Sequence, residues 1–84
     1  MAESPSAKRR RIETLIRRFE ATIPYRKPLV VTYESVMGMQ TLKAVGLPAM
    51  VRSGTIFVTT SPGHMLAIPK SSVIDIRALY PAGS

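Results

Sequence analysis

Arginine and lysine are the residues here with the most chemistry to offer. Lys8, Arg9, Arg10 and Arg11 form an unbroken run, Arg17 and Arg18 follow, and Arg26 and Lys27 come shortly after. The guanidinium is a planar fork that matches phosphate oxygens two at a time, and each neutralised phosphate releases a condensed counterion. Residues 1–27 hold eight of the twelve cations and three of the five acids, so most of the net charge of +7 sits at one end of the chain. A basic stripe of this kind points to a polyanionic partner. The competing reading is a solvated helix face, with Glu13 and Glu20 the only nearby acids to relieve the repulsion.

Of the five aromatic residues, Phe19 and Phe57 fall in apolar patterns and are expected in the core. Tyr25 adjoins Arg26 and Lys27, where it could stack on a base of a single-stranded nucleic acid or fill a hinge as a buried tyrosine. Arg52 and Lys70 are further candidates for the same surface. The predicted nucleic-acid contacts are therefore Lys8, Arg9, Arg10, Arg11, Arg17, Arg18, Tyr25, Arg26, Lys27 and Lys70.

Catalytic chemistry has little to work with. There is no cysteine, and His64 stands alone in the segment Ser61-Pro62-Gly63-His64, without partners at metal-ligand or triad spacing. It reads as a surface turn residue unless a ring of subunits gathers one copy from each. Glu34 and Asp75 are the only acids outside the N-terminal segment, and they suit cross-strand pairing with Lys43, Arg52 or Arg77 better than acid–base work. Ser71-Ser72 has no nucleophile-elbow context, and Met37-Gly38-Met39 is no phosphate loop. The expectation is a protein that is not an enzyme, with no cofactor and no metal.

These side chains need a scaffold, and 84 residues with 45% hydrophobic content suffice for one thin core. Such a core is marginal alone, which favours self-association. Ile12, Leu15, Ile16, Phe19 and Ile23 recur at helical spacing and predict an amphipathic helix over residues 6–22. Ser4 followed by Pro5, or else Ser6, suits its start, Glu13 and Arg17 make a favourable pair, and Pro24 ends it. Residues 1–7 read as a flexible tail, residues 8–79 as one domain, and residues 80–84 as a second tail.

Beyond Pro28 the period changes to that of strands. The pattern predicts strands over residues 29–34, 40–45, 55–60, 65–68 and 73–79, with residues 46–48 bending the second and residues 50–52 resuming it. Turns are expected at residues 36–39, at Ser53-Gly54, at residues 61–64 and at residues 70–72. The fold class is α+β: one N-terminal amphipathic helix, then a five-stranded, strongly bent antiparallel sheet or small barrel. The helix would close an open end, and pairing edges between subunits would deal with exposed strands. Met37 and Met39 flank a turn glycine, a place suited to a subunit or partner contact.

This order of elements resembles the Sm-like, Hfq-type fold, which shares its small-barrel character with SH3-like domains. The closest local similarity is His64-Met65-Leu66-Ala67-Ile68-Pro69-Lys70-Ser71-Ser72-Val73-Ile74-Asp75-Ile76, which is similar to the second Sm motif. The resemblance implies that Lys70 corresponds to a lysine facing an RNA-binding pore, whereas Ser71 stands where the bacterial members carry histidine. It also places the glycine of strand two near Ala44, and Gly46-Leu47-Pro48-Ala49 replaces a turn that usually holds aspartate. A homo-oligomeric ring built by edge-strand pairing would follow.

Two functions fit the residues. One is a small basic nucleic-acid-binding protein, with RNA favoured over duplex DNA because a small barrel has no long recognition helix besides the N-terminal one. The other is an interaction or assembly module, such as a small regulator, that binds a protein through its sheet edge and methionines, while its basic helix meets an acidic partner or simply keeps the chain soluble. No stretch reaches the roughly 18 apolar residues of a membrane span, and no apolar segment follows the basic cluster as in a secretory signal. Residues 1–23 have some features of a mitochondrial presequence, but their three glutamates argue against one. A cytoplasmic location without membrane contact is expected.

Overall fold

The computed structural model describes residues 3–35, 37–61 and 63–80. Parts of the turns anticipated at residues 36–39 and 61–64, and residues 81–84 of the C-terminal tail, lie outside them.

Helix α1 spans Pro5–Thr22. The Ser4 side chain accepts from the Ala7 N–H at 3.1 Å, and Pro5, which has no N–H to leave unpaired, occupies the first turn. The helix thus begins at Pro5, one residue before the expected start, and takes in residues 5–7 of the segment also read as a tail. Ile12, Leu15 and Phe19 are buried, while Ile16 and Ile23 are half-buried against the core. A 3-10 turn over Ile23–Tyr25 follows, and Arg26 in a left-handed conformation (φ 50°) redirects the chain.

Strands β1 (Leu29–Glu34), β2 (Thr41–Arg52), β3 (Thr55–Ser61), β4 (His64–Pro69) and β5 (Val73–Ala78) make one antiparallel sheet in the order β4-β3-β2-β1-β5. The sheet bends strongly but does not close, and β4 and β5 are its two edges. The long β2 serves both halves: Thr41–Gly46 pairs with β1, and Leu47–Arg52 pairs with β3. The segments expected as a strand and its resumption are thus one element.

The bend falls where a side chain has no room. A β-carbon on Gly46 would lie 2.3 Å from the Thr59 carbonyl oxygen and 2.8 Å from Val58 Cγ1. Strand β2 therefore needs a residue without a side chain at position 46. Just beyond it, the register shifts between Pro48 and Met50, a bulge that accommodates a residue lacking an N–H. At the other end of β2, Ser53 (φ 50°) and Gly54 (φ 73°) form a two-residue hairpin turn of the mirror-image kind that suits strand twist.

The core joins Leu15 and Phe19 of α1 to Leu29, Val31, Ala44, Ile56, Val58, Ile68, Val73 and Ile76. Phe19, Val31, Ile56, Val58 and Ile68 are fully inaccessible, and burying a side chain of this size contributes roughly 1.5–3 kcal/mol. Phe57 is not among the core residues. Ile56 and Val58 point inward, so strand alternation turns Phe57 outward, where it is half-buried opposite Met50 of β2 and Ala67 of β4. No helix among the described residues is long and apolar enough to cross a membrane.

Candidate nucleic-acid interface

Helix α1 packs on β2 and β5 and touches the 3-10 turn Lys70–Ser72. This docking divides its cations into separate sets. On the flank facing β5, Arg11 Nη1 donates to the carbonyls of Val73 at 3.0 Å and Ile74 at 3.1 Å. Its Nε and Nη2 grip the Glu3 carboxylate at 3.1 and 3.2 Å. Arg18, two turns along, reaches the Ile76 carbonyl at 3.5 Å. Two of the predicted phosphate ligands are thus engaged with the protein's own backbone.

The opposite flank faces the turn before β5. A groove of about 480 Å³ is lined by Pro5, Lys8, Arg9, Ile12, Glu13, Lys70 and Ser71. It adjoins a second groove of about 270 Å³, where Arg17 and Glu20 join Ile12, Ile16, Glu13, Val51, Gly54 and the same Lys70. Lys70 therefore stands at the junction of the two. Its backbone N–H donates to the Gly54 carbonyl at 2.8 Å, which ties the lysine's turn to the β2–β3 hairpin. Glu13 lines both grooves, so the cations there are partly balanced. Arg10 is exposed.

The remaining predicted residues lie just past the C-terminal end of α1, whose 18 residues span about 27 Å. Tyr25 is 73% exposed, which excludes the buried-hinge alternative. Arg26 lines a cleft of about 600 Å³ with Ile23, Pro24, Leu47, Pro48, Ala49 and Thr59. That cleft holds one cation. Lys27 lines a smaller one with Pro28, Ala78 and the exposed Tyr80. The ten predicted contacts are thus not one patch but a basic groove, a backbone-bound pair and a separate Tyr25-Arg26-Lys27 corner.

The other sequence candidates have plain surroundings. His64 is exposed at the start of β4. Asp75 pairs with Arg77 two residues on in the same strand rather than across strands, its Oδ2 accepting from Arg77 Nε at 2.6 Å. Met37 and Met39 are 78% and 79% exposed beside Gly38.

Sequence reasoning, with Phe57 assigned to the core, left one surface unassembled. Leu47, Met50 and Met65 are each at least 40% exposed, and with Phe57 and Ala67 they form an apolar outer face across β2, β3 and β4. The alternation of β3 held the signal, because Ile56 and Val58 cannot share a face with Phe57. No protein-family model, curated protein or solved structure matches this chain.

Proposed function

We propose that the chain is a small nucleic-acid-binding protein that prefers single-stranded RNA to duplex DNA and acts without catalysis in a cytoplasmic setting. One observation carries this reading: folding brings Lys70 into the same groove as Lys8 and Arg9. Three cations from two distant segments then line one depression, with Arg17 beside the adjoining one. A phosphate chain along this flank would meet Lys8, Arg9, Lys70 and Arg17 in succession, while Tyr25 offers a stacking platform at the other end of the helix. Arg10 adds charge from the solvent side.

The resemblance to Sm-like proteins belongs to the same reading. A bent sheet with free edges at β4 and β5 is suited to head-to-tail pairing between copies, which removes both edges if the ring closes. The test is a fluorescence titration of labelled single-stranded RNA and of duplex DNA at several salt concentrations. RNA should bind more tightly, and log affinity should fall steeply with log salt. A slope near zero would reject phosphate contact.

A second reading rests on the outer apolar face. Leu47, Met50, Phe57, Met65 and Ala67 give a protein partner something to bury, and residues 46–70 carry cations but no acid, which favours an acidic partner.

A further inference from the structure

Among the described residues, β1 is the only strand paired with β5. The Leu79 N–H donates to the Pro28 carbonyl at 3.0 Å, which fixes the alternation of the strand. Leu79, Arg77 and Asp75 direct their backbone groups at β1, so Ile76 directs its own at the free edge, and the register shift opposite Thr32 and Tyr33 breaks the alternation at Ile74. Arg18 occupies the Ile76 carbonyl, and at the register shift Arg11 occupies those of both Val73 and Ile74. Glu3 holds Arg11 from its other side.

We infer that Arg11 and Arg18 form a latch on the β5 edge, so that adding a strand there and seating these guanidinium groups exclude one another. An incoming strand needs the Ile76 carbonyl as an acceptor and must displace the helix arginines from the edge. The displaced cations are then free to meet phosphates on their own flank of the helix. Conversely, a phosphate chain that draws them away uncovers the edge. Self-association and nucleic-acid binding are then linked, and linkage is reciprocal. The inference rests on the edge pairing proposed above, with β4 of a second copy as the added strand.

The experiment is sedimentation of the full chain, with and without a short mixed-sequence single-stranded RNA, for wild type and for R11Q/R18Q. Without RNA the double variant should associate roughly tenfold more tightly than wild type, and RNA should strengthen wild-type association by a similar factor but add little to the variant. Equal association of the two proteins without RNA would overturn the latch. If the glutamines loosen the helix, as a melting curve would reveal, R11K/R18K keeps the charge and loses only the fork, and it should shift association in the same direction by less. The arm without RNA is independent of nucleic-acid binding. Tighter association of the variant together with no RNA binding by wild type would sink the proposed function and leave the latch standing.

Discussion

Lys70 and Gly54 are held together twice, by the 2.8 Å hydrogen bond from the Lys70 N–H to the Gly54 carbonyl and by the lysine stem lying along the glycine. A β-carbon on Gly54 would sit 3.5 Å from Lys70 Cε, an ordinary contact, but at φ +73° an L side chain is strained. Gly54→Ala should therefore cost about 1–2 kcal/mol, almost all of it from the backbone. For a domain of this size each kcal/mol lowers Tm by about 4–8 °C, which thermal denaturation will read.

Gly46 behaves differently, because its obstacle is main chain. The Thr59 carbonyl carbon would lie 2.9 Å from an added β-carbon and the oxygen closer still, and neither can swing aside as a side-chain tip can. Gly46→Ala should destabilise by about 3 kcal/mol or more, in excess of usual overpacking, with the urea midpoint as the measure. A cost below that of Gly54→Ala would contradict the close approach at the bend.

Phe19 and Tyr25 make a paired test of core against surface. Phe19 is fully buried, and Phe19→Ala should cost about 3–5 kcal/mol. Tyr25→Ala should leave stability within about 0.5 kcal/mol of wild type. If a base stacks on the tyrosine, RNA affinity should fall by about 1–3 kcal/mol. Unchanged affinity would remove Tyr25 from the interface.

The groove cations should be countable by salt. Each of Lys8→Gln, Arg9→Gln and Lys70→Gln should reduce the slope of log affinity against log salt by about 0.7 for a single strand, roughly uniformly across sequences. Lys70→Gln is the decisive one, since only the fold places it beside the helix. A slope unchanged by Lys70→Gln would confine any binding to the helix.

The helix was legible because five apolar residues repeat at its own period and Ser4-Pro5 marks its start. The strands were legible from β-branched runs set off by turn chemistry, and the hairpin at Ser53-Gly54 was visible for the same reason. Phe57 was misread because Ile56, Phe57 and Val58 are apolar in succession, so only the pairing of Ile56 with Val51 and Ile68 decides which of them faces inward. Arg11 and Arg18 were placed with their neighbours because their partners are backbone carbonyls of β5, which no side-chain pattern announces. The division of the basic run into flanks likewise depends on which way the helix rolls onto the sheet.

Because β2 runs without a break through both halves of the sheet, neither half can come apart while leaving the other a complete set of neighbours. Amides along its middle should exchange with solvent only when the whole molecule opens, whereas those of β4 and β5, each with one strand beside it, are free to open earlier. Despite its sharp corner, the protein should melt as one cooperative unit.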